Sequence, residues 1–214
     1  MPLKFTYFPL WAKGPACAFA LEHSGLEWEG AFPDWPTMKE TTPWLELPVL
    51  EIPGAGMIGH EIAILNYIGR QCPEMAGASE ADFLVSQQLL QEAEDIYQKL
   101  GKIKNKLIPE SEAESFWTDE EEKTHNKNFG VNVYLRLLES YYVKCGAPEG
   151  KFTAFGNTVG ECKLFTMLHA CKLIKDDVLT KYPGLAAFYT RFGADEKVQA
   201  IMTSGGRMGG VFNK

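Results

Sequence analysis

Apolar positions divide the first seventy residues into short runs separated by turn chemistry. Residues 3–8 (LKFTYF) form an apolar and aromatic run that predicts a buried strand. A turn containing proline and glycine, 9–15, leads into a short helix over 16–24, closed by Gly25 as its C-cap. Residues 26–30 (LEWEG) predict a second strand. Leu47-Pro48-Val49-Leu50-Glu51 predicts a third strand, opened by proline. A glycine-rich turn and a further short strand follow, then an amphipathic helix within 59–70 (GHEIAILNYIGR). The order is β-α-β and then β-β-α, complete before Arg70.

From residue 80 onward the pattern is helical. Residues 71–79 read as a linker of proline and small residues, and Ser79 N-caps a helix running from Glu80 to about Lys106. Its apolar face carries Phe83, Leu84, Leu89, Leu90, Ala93, Ile96, Tyr97 and Leu100. The acidic stretch 109–122 predicts an exposed loop and helix start. Another helix lies within 129–145. Thr158 and Glu161 have capping-box spacing at the start of a core helix over 163–174, and Tyr182-Pro183 opens one more. A compact α/β unit followed by helices implies two packed domains, 1–76 and 77–214.

A proline that opens a buried strand is unusual, because it cannot donate to the ladder. Such a proline often marks a cis peptide, which leaves the backbone of the preceding residue to pair with an extended ligand.

Bulk properties narrow the function. The chain has 214 residues, a net charge of -7 and 45% hydrophobic residues. The acidic balance argues against nucleic-acid or anionic-membrane partners. No apolar run approaches the ~20 residues of a membrane span. Five cysteines, odd in number and without a CxxC pair, favour free thiols in a reducing, cytoplasmic setting. No metal-ligand spacing occurs among the histidines and cysteines.

The element order, with particular strings, resembles the cytosolic glutathione transferase family. The strings are Tyr7-Phe8 at the end of strand one, Asp34-Trp35-Pro36 with Lys39, and Thr42-Pro43-Trp44 leading to Leu47-Pro48-Val49-Leu50-Glu51. Residues 63–68 (AILNYI) complete the set. The likeness covers essentially the whole chain, is most specific in the first third, and is strongest to the tyrosine-type classes, sigma above all. It implies a thioredoxin-like α/β domain packed on an all-helical bundle domain. It also implies a homodimer, and glutathione as co-substrate in conjugation to a hydrophobic small molecule, a detoxification chemistry. Glutathione-dependent isomerisation or peroxide reduction would use the same site.

The resemblance also implies roles. A free thiol has a pKa near ~8.5 and needs stabilisation as thiolate. Tyr7 stands where the family places the hydroxyl that does this, although a strand tyrosine is more often simply a half-buried aromatic. No cysteine or serine follows the strand closely enough to fit the other classes, and Cys17 falls inside a helix. Lys13 replaces a frequent arginine, losing bidentate geometry for a glutathione carboxylate. Trp35 and Lys39 match the pair at the glycyl end. Leu47 offers its backbone to the cysteinyl unit across the Pro48 bond. Asp95 matches an acid reaching the glutamyl amine across a dimer interface, in which Trp44 could take part. Phe8, Leu10, Trp11, Tyr97 and the glycine-rich tail 205–212 would line the second, apolar pocket, the tail being either a lid or a frayed end.

Two departures alter the glutamyl end. His60-Glu61 replaces the family's usual Gln-Ser, and Leu45-Glu46 replaces Gly-Gln or Gly-Lys. A like-charge contact at ~4 Å costs on the order of 1–4 kcal/mol. Unless Glu61 turns away or takes the ligand's ammonium, affinity falls roughly ten- to several-hundred-fold; a protonated His60 would offset part of this. These changes motivate an alternative expectation, a non-catalytic binding or structural protein on the same fold.

Overall fold

The computed structural model describes residues 1–105, 107, 114–117 and 130–213. Its sheet is mixed, in the order β2-β1-β3-β4. Strand β1 (Leu3–Thr6) runs parallel to β2 (Trp28–Ala31) and antiparallel to β3 (Val49–Ile52), which pairs antiparallel with β4 (Gly56–Gly59). The two central strands bury Phe5 and Leu50 completely. The Leu47–Pro48 peptide before β3 is cis.

Helix α1 (Gly14–Ser24) begins two residues earlier than its apolar run predicts and ends on Gly25 at φ 72°. Every residue from Gly14 to Leu21 is buried. That all-round burial follows from its place, packed against α3 (Glu61–Gln71) and against α7 (Val159–Ile174) of the helical part. A single turn, α2 (Trp35–Met38), connects β2 towards β3, and α4 (Pro73–Ala76) leads out of the α/β part.

Helix α5 (Glu80–Lys104) starts as expected at Ser79, whose hydroxyl accepts the Asp82 N–H at 3.1 Å. The predicted end at Lys106 lies outside the described residues, as do Phe129 and most of the acidic stretch, of which 114–117 hold a short 3-10 turn. Helix α8 (Pro183–Gly193) packs on α7, α6 (Val131–Cys145) packs on α5 and α8, and α9 (Glu196–Ser204) packs on α1 and α8. The α5 backbone comes so close to α7 that a Cβ at Gly160 would lie 2.1 Å from the Ser86 carbonyl. Among the described residues no helix is long and apolar enough to cross a membrane.

The thioredoxin-like sheet and the helical bundle agree with the fold expected from sequence. The seam between them carries the chemistry.

Candidate functional site at the seam of the sheet and the helical bundle

Tyr7 follows β1 directly. Its amide extends the ladder by donating to Ala31 O at 3.2 Å, and its ring turns towards the start of α1. The approach is close: a Cβ at Gly14 would lie 2.0 Å from Tyr7 Cδ1. The Lys13 N–H donates to Tyr7 Oη at 3.1 Å, so the phenolic proton remains available to another acceptor. Burial pushes the Tyr7 pKa well above its ordinary value, with smaller upward pushes from Tyr97 and Glu61, against a downward pull from the Lys13 amide. The phenol is therefore a neutral donor at physiological pH.

Two cavities meet at this ring. The smaller, about 350 Å³, is lined by Tyr7, Lys13, Glu46, Leu47, Pro48, His60, Glu61, Ile62, Glu94 and Tyr97. The larger, about 780 Å³, has Phe8, Leu10 and Trp11 on one wall, Tyr97, Leu100 and Ile103 of α5 on another, and Leu173 and Ile174 of α7 closing it. Tyr7, Leu47 and Tyr97 border both.

A chain of ion pairs crosses the seam beside the smaller cavity. Lys13 Nζ reaches Glu94 Oε1 at 3.0 Å and lies 4.8 Å from the Tyr97 ring centroid. Lys163 Nζ, fully buried in α7, reaches Glu94 Oε2 at 2.8 Å and Glu61 Oε2 at 2.5 Å. Burial raises the Glu61 pKa to about 7 even though Lys163 and Lys13 pull it down. Glu94 lies below the usual carboxylate range: burial pushes it up, but Lys163, Gln98 and Lys13 outweigh that. Burial pulls Lys163 down, and its two carboxylates reverse this to a raised pKa. At the rim, His60 Nδ1 lies 2.8 Å from Glu46 Oε1, and Trp44 leans on the imidazole with ring centroids 5.6 Å apart.

The other sequence-predicted residues sit elsewhere. Trp35 packs edge-on against Phe8 at 5.2 Å, and Lys39 is exposed after α2; neither lines either cavity. Asp95 lies on α5, accepts from Gln91 Nε2 at 3.0 Å, and also lines neither. Cys17 is buried in α1. The tail is neither lid nor frayed end. Its Asn213 O accepts from the Trp11 amide at 2.7 Å, its Asn213 amide donates to Pro9 O, and Phe212 is buried against Tyr7, Trp11 and Phe32. Glu94 and Lys163 were not anticipated. The available signal was a lysine inside a core helix, since a buried charge requires partners.

No family model matches the chain. A hematopoietic prostaglandin D synthase of Gallus gallus is 26% identical over 202 residues, covering 89% of this chain and 90% of that protein. Glutathione S-transferase 1 of Ascaris suum is 34% identical over 71 residues, 32% of this chain and 34% of that one. The solved glutathione S-transferase of Ascaris lumbricoides superposes with a TM-score of 0.75 at 19% identity, covering 95% of this chain and 97% of that chain. The prostaglandin synthase D structure of Nilaparvata lugens gives 0.70 at 22%, covering 94% and 96%.

The chain is similar over most of its length to a prostaglandin D synthase and over 71 residues to glutathione S-transferases, and it shares the fold of solved glutathione S-transferases.

The residues at 46, 60 and 61, where the chain departs from the pattern it resembles, have partners in the structure. Glu46 is matched by His60, and Glu61 turns to Lys163 instead of standing unpaired. Lys13 and His60, which line the smaller cavity, each face a carboxylate, Lys13 that of Glu94 and His60 that of Glu46.

Proposed function

We propose that this protein binds glutathione in the smaller cavity and adds its thiolate to a hydrophobic electrophile in the larger one. The observation that carries the reading is Tyr7, a neutral buried phenol with an unspent proton at the junction of the two cavities. A thiolate there would accept that proton in a charge-assisted hydrogen bond, favouring ionisation of the thiol. The Lys13 N–H polarises the phenol, and the start of α1 adds a favourable dipole. The family resemblance and the relatives named as glutathione transferases supply the co-substrate.

We assign the backbone of Leu47, before cis-Pro48, to the cysteinyl unit; the resemblance puts Trp35 and Lys39 at the glycyl end, which would then extend beyond the lining of the smaller cavity. Lys13, Glu46, His60 and Glu61 surround the glutamyl end, with Asp95 contributed by the second copy of a homodimer. Phe8, Leu10, Trp11 and Tyr97 meet the electrophile. The domain division at 76/77 and a cytoplasmic location belong to the same reading. The likeness to a prostaglandin D synthase is a reason to include glutathione-dependent isomerisation among the assays.

The test is Tyr7→Phe assayed with glutathione and a panel of aryl halide and unsaturated carbonyl electrophiles. Loss of a hydrogen bond to a charged sulfur, about 1.5–3 kcal/mol, predicts a kcat/KM lower by about ten- to a hundredfold, with the pH optimum displaced upward. Unchanged turnover would remove Tyr7 from the mechanism. No turnover by the unaltered protein across the panel would favour the non-catalytic binding protein.

A further inference from the structure

The smaller cavity poses an electrostatic problem. Its lining and the Lys163 behind it carry two lysines against three carboxylates, Glu46, Glu61 and Glu94. With His60 neutral, the group is one charge negative. An anionic ligand entering here needs either a new cation or the loss of one carboxylate charge.

Glu61 is the carboxylate suited to lose it. It is 2% exposed, and its Oε2 is held by Lys163 while Oε1, equally buried, has no hydrogen-bond partner among the described residues. Glu94 differs, because Lys13, Lys163 and Gln98 all donate to it. The groups facing Glu61 come from every neighbouring element. They are Lys163 on α7, Glu94 and Tyr97 on α5, Lys13 and Cys17 at and within α1, Tyr7 after β1, and His60 with Glu46 at the rim. Tyr7 and Cys17 are held neutral by burial.

We infer that the Glu61–Lys163 pair sets the charge this cavity accepts: a ligand that brings its γ-glutamyl α-carboxylate beside Glu61 binds with uptake of one solvent proton on Glu61, while Lys163 keeps its charge. The carboxylate becomes a neutral carboxylic acid, so its charge no longer repels the carboxylate of the ligand. The inference rests on the glutathione reading above. The pKa of Glu61, raised by burial to about 7, places this proton within reach at neutral pH.

S-methylglutathione is the probe, because it carries both carboxylates and no ionisable thiol. Calorimetric titration at pH 7.5 in phosphate and in Tris, whose ionisation enthalpies differ, counts the protons exchanged. Net uptake is expected, with affinity falling by about tenfold between pH 6 and pH 8. Glu61→Gln, which still accepts from Lys163, should bind without uptake and with a flat pH dependence. His60→Asn should retain the uptake. Binding by the unaltered protein without uptake overturns the inference and leaves the glutathione reading standing. Uptake that persists in Glu61→Gln and disappears in His60→Asn also overturns it, assigning the proton to the rim. Absence of saturable binding at millimolar ligand overturns both readings together.

Discussion

Glu61 and His23 are both ionisable, both enclosed, and both pushed by burial towards their neutral forms. His23 has 4% of its side chain exposed and stands 3.7 Å from Asp195, too far for a good hydrogen bond. Burial lowers its pKa to about 4; Asp195 opposes this, and Lys197 and Arg191 add to it. Because the folded value is depressed below the unfolded one near 6.5, the stabilisation is present above pH 6.5 and is lost as pH falls towards 4. The cost at pH 4.5, relative to pH 7.5, is about 2–3 kcal/mol. Urea unfolding at those two pH values should show His23→Gln losing less stability than the parent by that amount. An equal loss in both would remove His23 as the cause. Tyr7 could be singled out from sequence because the strings around it, at a strand end before a turn, resemble those of a known family. The state of Glu61 could not, because its counter-ion lies 102 residues away.

The start of α7 shows what one element owes to nearby sequence. Thr158 Oγ1 accepts the Glu161 N–H at 3.4 Å, and the Glu161 carboxylate accepts the Thr158 N–H at 3.1 Å, completing the predicted capping box. The same carboxylate does more than spacing suggests: it accepts from the Phe152 and Thr153 amides and the Thr153 hydroxyl, pinning the loop before the helix. Thr158→Ala should therefore cost about 1 kcal/mol, and Glu161→Ala more, about 2–4 kcal/mol, because buried N–H groups lose their acceptor. Denaturant midpoints check the order; equal effects would mean the loop contacts contribute nothing. Helix α1 is the opposite case. Its burial on all sides comes from being enclosed between α3 and α7, which the short apolar run alone did not reveal.

For the whole molecule the open question is assembly. Trp44 is 62% exposed and its neighbour Leu45 is 48% exposed, a costly pair to leave in water. Between α5 and α6, Leu89, Leu137, Leu138 and Tyr141 line a groove of about 260 Å³. These are the surfaces that the homodimer implied by the sequence resemblance would cover. Light scattering at micromolar concentration should give twice the 23.9 kDa chain mass, and Trp44→Ala should shift it towards the monomer. A monomeric mass for the unaltered protein would count against the dimer, and with it the proposed role of Asp95 across the interface.

Periodicity and capping chemistry by themselves determined the strand and helix order, the proline-opened third strand and the start of α7. These depend on interactions between residues a few positions apart. Only the tertiary structure decided that Glu61 faces Lys163, that Lys13 is held by Glu94, and that the tail is anchored beside Trp11. Desolvation and Coulomb interactions depend on distance through space, and folding brings together α1, α3, α5 and α7 from distant parts of the chain.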